Sequence, residues 1–513
     1  MKKLIIIRRC SQLFFLALFI YVLWSTTYPL KGIFSPTLLF NVDPLVMVVA
    51  SLSARVLLAG SFLAILTVIA TLIFGRFFCG WICPLGTVID MAGALRKRHR
   101  TLSDRANRYA RRIKFYILGG IFFAAAAGIQ IVWIFDPLVI MGRFVSLNMI
   151  PAVTAGIDRI FIFFIRTFDW YGPVYDFYRT LKASLLGVQV HFFKHSIISF
   201  LVLVVLAGSA FFLTRAWCRV MCPLGALLNL FARLTPFRRR TEGCMGCDQC
   251  QEVCRMGAIQ TDHNYHAGEC ILCMDCVYVC PPRKTRFSFL ARHRHQPKIK
   301  DENRKGLSRK NFIFLLLTSL FSFGFLKNKK KAFVRAIIRP PGSLREDQFL
   351  DTCIRCGNCM KVCVTNGLQP VMLETGAQGI WTPRLVPEIG YCEYLCTLCT
   401  EVCPTGAIPR LSKTKKVTTR LGVAQIDHSL CIAWANNQQC LVCEEHCPIP
   451  EKAIKVETAV RDGKTVLLPI VDPSLCVGCG ICQNKCPVRP VRAIRVNPLV
   501  ADRPDLPDKR GTV

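Results

Sequence analysis

The stretch CMGCDQCQEVC, residues 244–254, decides how the rest of the chain is read. Its cysteines, Cys244, Cys247, Cys250 and Cys254, follow the spacing C-x2-C-x2-C-x3-C. CILCMDCVYVCPP repeats that spacing at Cys270, Cys273, Cys276 and Cys280, and Pro281 follows. A second block begins with Cys353, Cys356, Cys359 and Cys363. It continues with Cys392, Cys396, Cys399 and Cys403, where the first gap has one extra residue. Cys431, Cys440, Cys443 and Cys447 follow with eight residues in that gap, and Cys476, Cys479, Cys482 and Cys486 return to the first spacing.

Cysteines three apart, in group after group, suit metal ligation better than a disulfide framework. Zinc needs only two C-x2-C pairs per site and has no use for a third cysteine and a fourth before proline. Three thiolates in one loop can grip three irons of a cubane, while the fourth opens the next turn and reaches the neighbouring cluster. The spacing therefore predicts six [4Fe–4S] clusters with exchanged ligands. Cys244, Cys247 and Cys250 take Cys280, and Cys270, Cys273 and Cys276 take Cys254. In the second block Cys353, Cys356 and Cys359 take Cys403, and Cys392, Cys396 and Cys399 take Cys363. Cys431, Cys440 and Cys443 take Cys486, and Cys476, Cys479 and Cys482 take Cys447. Ala-Ile follows a fourth cysteine at 258–259, 407–408, 453–454 and 493–494. This internal repeat predicts a short strand after each cluster turn.

These groups sit in an apolar chain. Of the 513 residues, 52% are hydrophobic and the mean hydropathy is +0.38, the composition of a membrane protein with soluble parts. Apolar segments near 11–29, 54–78, 115–135 and 195–214 each approach the ~20 residues that cross a bilayer. The loop RKRHRTLSDRANRYARRIK, residues 96–114, holds nine Lys and Arg and is placed inside by the positive-inside rule. The N-terminus and the region after the fourth segment are then also inside, and 145–190 is outside. That outer stretch contains IFIFFIRTFDWYGPVYDFY, which reads as an interfacial amphipathic segment; a fifth full span there is the alternative, against which Asp158, Arg159 and Arg166 count as interruptions. The formal charge of +34 counts every cysteine as neutral, and much of the excess flanks apolar segments. No base-reading module accompanies it, so nucleic acid is not an expected partner.

The apolar half repeats internally. RFFCGWICPLG (76–86) matches RAWCRVMCPLG (215–225), and DPLV occurs at 43–46 and 136–139. Each half reads as two spans, with DPLV toward the outer face and Cys-Pro at the inner face. Cys79 and Cys83 share a helical face, as do Cys218 and Cys222. Together the four form a candidate redox or metal site, with two reducible pairs or packing thiols as the alternative. Arg76 and Arg215 are candidate quinone or cluster charge partners, or else snorkel to lipid phosphate. Asp43 and Asp136 are candidate proton acceptors or helix caps. Cys10 reads as a buried structural thiol.

On these motifs, residues 1–290 resemble the NapH-type (NapH/MauN-like) membrane ferredoxins. Residues 305–500 resemble the NapG/MauM-type four-cluster ferredoxins, through RPPGSLREDQFLDTCIRCGNCMKVC, CEYLCTLCTEVCPTGAI and LCVGCGICQNKCP. The resemblance is that of a fusion of the two. It implies electron transfer from the membrane quinone pool, through quinol dehydrogenase activity, to a periplasmic cytochrome or molybdoenzyme. An electron-supplying maturation factor for another redox enzyme is the alternative. It also implies a multi-pass protein of the bacterial inner membrane, with the two-cluster module cytoplasmic and the four-cluster module periplasmic. The expected fold is a membrane α-helical bundle of four pseudo-repeated spans joined to α+β bacterial-type ferredoxin modules. Its divisions are a membrane module (1–235), a two-cluster ferredoxin (236–290), a basic linker (291–345), a four-cluster ferredoxin (346–500) and a tail (501–513). The linker carries NFIFLLLTSLFSFGFL (311–326), a signal-like or fifth membrane segment. No C-x-x-C-H and no dinucleotide fingerprint occur, so neither covalent haem nor NAD or FAD is expected.

Overall fold

A computed structural model describes residues 2–95, 104–183, 191–241, 244–260, 265–280, 285–289 and 337–498, with 187 and 501 and without 29, 31, 33, 170, 245 and 462. The segment 311–326, most of the basic linker and the tail beyond residue 501 lie outside the described residues. The chain divides into two compact units. The first takes Met1–Leu23, Pro36–Val145 and Ile197–Asn328. The second takes Trp24–Ser35, Ser146–Ser196 and Lys329–Val513.

Eleven of the helices carry the argument: α1 (Lys2–Trp24), α2 (Pro44–Ala54), α3 (Ser61–Phe74), α4 (Phe77–Trp81), α5 (Pro84–Ala94), α6 (Asp104–Ala126), α7 (Pro137–Phe144), α8 (Ile150–Phe168), α9 (Ile197–Phe212), α10 (Ala216–Val220) and α11 (Pro223–Ala232). Four of them start on one device, a capping residue followed by proline at the first helical position. Asp43 starts α2, Cys83 starts α5, Asp136 starts α7 and Cys222 starts α11. Proline loses nothing there, because that N–H has no helical partner.

Among the described residues two helical runs are long and apolar enough to cross a membrane, Lys3–Trp24 and Pro137–Phe168, of 22 and 32 residues. Two such helices do not by themselves make up the expected bundle of four spans. The segment expected at 54–78 gives the 14-residue α3, and that at 195–214 gives the 16-residue α9. The segment expected at 115–135 gives α6, which starts inside the basic loop at Asp104. Pro137–Phe168 covers much of the stretch expected to lie interfacially. Of the three interrupting charges, buried Asp158 is neutralised: it accepts from Tyr178 Oη at 3.0 Å and from Lys182 Nζ at 2.9 Å.

DPLV also departs from the expected outer position. Val42, just before Asp43, offers its carbonyl to Thr67 Oγ1 at 2.7 Å, halfway along α3. Phe135, just before Asp136, stacks on Trp217, the neighbour of Cys218, with 6.4 Å between ring centroids. Cys10 is exposed on α1 rather than buried.

The two-cluster module belongs to the first unit. Its strands β1 (Arg238–Thr241) and β2 (Thr285–Ser288) pair antiparallel. Buried charges hold the module to the helices. Glu269 pairs with Lys114 at 2.6 Å and Arg76 at 3.1 Å. Asp275 pairs with Arg255 at 2.6 Å, and Asp90 binds Arg215 at 2.7 Å and Arg255 at 3.2 Å. Arg8 of α1 lies 3.9 Å from both Asp90 and Asp275. At Gly80 the backbones meet directly, since a Cβ there would stand 2.1 Å from the Ile271 carbonyl oxygen. Trp81 Nε1 donates to the Leu272 carbonyl at 3.1 Å.

The second unit has three antiparallel strand pairs: β3 (Leu368–Pro370) with β4 (Pro383–Leu385), β5 (Val423–Ile426) with β8 (Ile494–Asn497), and β6 (Ile454–Arg461) with β7 (Lys464–Val471). Of the four Ala-Ile sites, two start strands, β6 and β8. Ile259 makes a single bridge to Tyr265, and 407–408 forms no strand. All eight residues are nonetheless buried, so the repeat encodes core contact more than pairing.

The loop segments of this unit are fastened to its cysteine-rich part. Lys361 Nζ donates to Thr26 Oγ1 at 2.8 Å, to the Thr26 carbonyl at 3.0 Å and to the Trp24 carbonyl at 3.2 Å. The Phe192 carbonyl accepts from Asn366 Nδ2 and Gln369 Nε2, both at 2.9 Å. Burial lowers the Lys361 pKa to about 7. Lys361→Ala is expected to weaken attachment of residues 24–28 by about 1–3 kcal/mol. The readout is faster amide exchange in 24–28 and 358–363, with β6 and β7 unchanged.

Candidate metal centres

In all six cysteine groups the third cysteine lies on a short helix. Cys250 is in Gln249–Glu252, Cys276 in Asp275–Tyr278 and Cys359 in Asn358–Lys361. Cys399 is in Leu398–Glu401, Cys443 in Val442–Glu445 and Cys482 in Ile481–Lys485. In the four groups of standard spacing the residue before the second cysteine has positive φ: Gly246, Leu272, Arg355 and Gly478. So does the residue that starts the short helix: Asp248, Met274, Gly357 and Gly480. Such left-handed turns aim successive N–H groups into one concavity, which favours an anionic body. The Cys392 and Cys431 groups, with longer first gaps, have negative φ at their helix starts, Thr397 and Leu441.

The chain closes the groups on one another across the repeats. One cavity, of about 370 Å³, is lined by Cys353, Cys356, Cys359 and Cys403. Another, of about 410 Å³, is lined by Cys392, Cys396, Cys399 and Cys363. A third, of about 360 Å³, is lined by Cys431, Cys440, Cys443 and Cys486. Cys476 and Cys479 lie within electrostatic reach of Cys447, and Cys482 of Cys476 and Cys479. In the two-cluster module Cys254 stands near Cys270, Cys273 and Cys276. Cys250 neighbours Cys244 and Cys247, which are exposed. Cys280, half-buried, ends the same module.

Among the described residues no three His, Cys, Asp or Glu side chains close on a single ion. The thiolates of a cubane stand farther apart around a larger body, so the spacing fits a cluster. Backbone amides are already aimed at sulfur: Ala258 N at Cys254 (3.1 Å), Leu272 N at Cys270, Ile408 N at Cys403 and Ala424 N at Cys476 (each 3.4 Å). Burial pushes Cys353 and Cys392 up to about 11, and Cys443 and Cys479 up to about 12. The bare thiols are therefore neutral near pH 7, and taking up a metal centre releases their protons.

Cys79, Cys83, Cys218 and Cys222 are buried and stand within electrostatic reach of one another. The two arginines reach across the repeat. Arg76 Nη2 lies 4.0 Å from Cys79 Sγ and 2.6 Å from the point a Gly225 Cβ would occupy in the other half. Arg215 donates to the Cys79 carbonyl at 2.8 Å and to Asp90 through Nε and Nη2 at 2.8 and 2.7 Å. Both arginines are almost fully enclosed, so neither snorkels to a lipid surface.

Sequence reasoning missed their carboxylate partners, Glu269 and Asp90. The available signal was Asp90 itself, an acid four residues after CPLG where the other repeat has Asn229. Nothing in the sequence marks Glu269 or Lys361 as partners of distant groups.

A family model described as a 4Fe-4S binding domain matches residues 56–103 and again 196–242, covering both Cys-x-x-x-Cys-Pro motifs. Two further models with the same description match 469–492, and 241–257 and 350–366. The methylamine utilization ferredoxin-type protein MauM of Methylorubrum extorquens is 34% identical over 186 residues, 36% of this chain and 81% of that protein. The ferredoxin-type protein NapG of Escherichia coli is 35% identical over 167 residues, 32% of this chain and 71% of that protein. An uncharacterized protein of Methanocaldococcus jannaschii is 26% identical over 300 residues, 57% of this chain and all of that protein. No solved structure matches the chain.

The exchanged arrangement has a direct test in anaerobically reconstituted protein. Cys363→Ser is expected to lose the centre shared with Cys392, Cys396 and Cys399, about four irons per chain. Cys403→Ser is expected to lose the centre shared with Cys353. Iron analysis with paramagnetic resonance of the reduced protein would separate the two losses.

Proposed function

Because the chain belongs to the family of ferredoxin-type proteins that includes MauM and NapG, and is thereby an iron–sulfur electron-transfer protein, we propose that it is a membrane electron conduit. In this reading it oxidises a hydroquinone of the lipid-dissolved pool and reduces a water-soluble redox partner outside the cytoplasm, such as a periplasmic cytochrome or molybdoenzyme. It holds six [4Fe–4S] clusters in the exchanged sets, and Cys79, Cys83, Cys218 and Cys222 hold a further redox or metal centre. Bound clusters supply one-electron acceptors and donors. The chain's own residues fix the distances and the electrostatics. Amides aimed at sulfur stabilise thiolate charge, and Arg76 and Arg215 offset charge at the Cys79, Cys83, Cys218 and Cys222 set.

The observation that carries this reading is the backbone contact of Gly80 with Ile271. Gly80 lies between Cys79 and Cys83, and Ile271 between Cys270 and Cys273. No side chain separates the thiol set from a ferredoxin loop there. Sidedness has separate support. Charge bias assigns the basic loop 96–114 to the cytoplasm, and Lys3–Trp24 is long and apolar enough to carry residues 24–28 to the other side. Thr26, just past that helix, binds Lys361 of the four-cluster region. In this reading the four-cluster region is extracytoplasmic and the two-cluster module cytoplasmic. A second reading, an electron-supplying maturation factor, draws on relatives named for methylamine utilization.

Purified, cluster-replete protein is expected to be reduced by menaquinol or ubiquinol analogues under anaerobic conditions, seen as bleaching of the iron–sulfur absorbance. Gly80→Val should retain its iron and slow that reduction on the order of tenfold to a hundredfold. Failure of every hydroquinone to reduce wild-type protein that dithionite does reduce would favour the maturation role.

A further inference from the structure

The two DPLV motifs bring together a pair of acids that the electron route does not use. Asp43 Oδ1 accepts from the amides of Leu45 and Val46 at 2.8 and 3.2 Å. Asp136 Oδ1 accepts from those of Leu138 and Val139 at 2.9 and 3.0 Å. Each acid thus caps its own helix with one oxygen. Both residues are fully enclosed. The second oxygens, Asp43 Oδ2 and Asp136 Oδ2, are buried and have no hydrogen-bond donor among the described residues. The segment before each acid packs against the helix that the other acid starts, Leu38–Asn41 against α7 and Val132–Phe135 against α2, and this reciprocal packing brings the two carboxyl groups together.

Two carboxylate oxygens cannot bond to each other without a proton, and an enclosed pair of full charges is strongly disfavoured. A single proton between them removes both objections. It leaves one negative charge, and the N-termini of α2 and α7 stabilise a charge of that sign.

Among the described residues no helix packed against the pair supplies a counter-charge. Helices α3, α9 and α11, which pack around α2 and α7, carry no charged residue. Asp90 of α5 is committed to Arg215. The charged residues of α6 all lie in its first half, where Arg111 bonds Gly257 and Lys114 bonds Glu269. Arg143, on α7 itself, donates to the Trp133 carbonyl at 2.6 Å.

We propose that Asp43 and Asp136 form one proton-sharing pair at the junction of the two repeats, and that this pair is the proton acceptor for hydroquinone oxidation. The acceptor role rests on the function proposed above; the sharing of a proton does not. Oxidation of a hydroquinone breaks two O–H bonds and releases two electrons and two protons. The electrons go to the iron–sulfur sites, one proton goes to the free carboxylate of the pair, and the other goes to water. The pair then carries two protons and no charge until it discharges one.

Asparagine can cap a helix as aspartate does, so Asp43→Asn and Asp136→Asn preserve the starts of α2 and α7. Infrared spectra of the full-length protein are expected to contain the carbonyl stretch of a protonated carboxylic acid, shifted in D2O. Either substitution alone should remove or displace it, and the double variant should change it no further than a single one does. Absence of the band in wild-type protein, or a band that either single variant leaves unchanged, overturns the sharing. Each variant should also slow hydroquinone-driven reduction on the order of a hundredfold, while dithionite-driven reduction keeps its wild-type rate. Equal hydroquinone rates in variant and wild type would overturn the acceptor role. Wild-type protein inert to hydroquinone would sink the quinol reading and the acceptor role together, and the infrared result would still decide whether the proton is shared.

Discussion

A set of buried ion pairs, carboxylates with guanidinium groups and one lysine ammonium, ties the two-cluster module to the helices, and the architecture of the first unit depends on it. Glu269 stands between Arg76 and Lys114, while Asp90 and Asp275 gather Arg8, Arg215 and Arg255. Enclosing so many charges is tolerable only because they satisfy one another; removing one member of a buried pair typically costs about 3–5 kcal/mol. The pairs also hold the two Cys-x-x-x-Cys-Pro turns in place, since Arg215 binds Asp90 and the Cys79 carbonyl at once. The same contacts that attach the module therefore shape the thiol set beside it.

The cysteine loops solve a related problem with backbone rather than side chains. A cluster of thiolates needs compensating positive ends of dipoles, and left-handed residues such as Leu272, Met274 and Arg355 supply them by turning amides inward. Non-glycine residues rarely take that conformation, so its repetition in matched positions reflects a shared demand rather than chance.

The cysteine spacing made much of this visible in advance. The sets lining the three cavities, such as Cys353, Cys356 and Cys359 with Cys403, are those that the run of three plus a remote fourth suggests. The duplicated motifs suggested that four thiols could converge, but not that Arg76 and Arg215 would each reach the other half-motif. Hydropathy was a poorer guide, because it averages over segments whose lengths are set by packing. It could not foresee that α3 stops at fourteen residues, nor that Tyr178 and Lys182 would let Asp158 sit within a long helix. Side chains that act between distant parts of the chain, Glu269 and Lys361 above all, leave no periodic trace. Their partners lie more than 150 residues away and are chosen only by the fold.

The repeated half-motifs are not equivalent where they touch the ferredoxin loops. Gly80 corresponds to Arg219, and Asp90 to Asn229. A duplicated platform facing a duplicated ligand-bearing module offers two docking poses related by half a rotation. In the rejected pose Arg219 would meet the backbone that only a glycine admits, and Arg76 and Arg215 would exchange their carboxylates. Divergence of those few positions has broken the degeneracy, giving the Cys79 turn one fixed neighbour, the loop that carries Ile271.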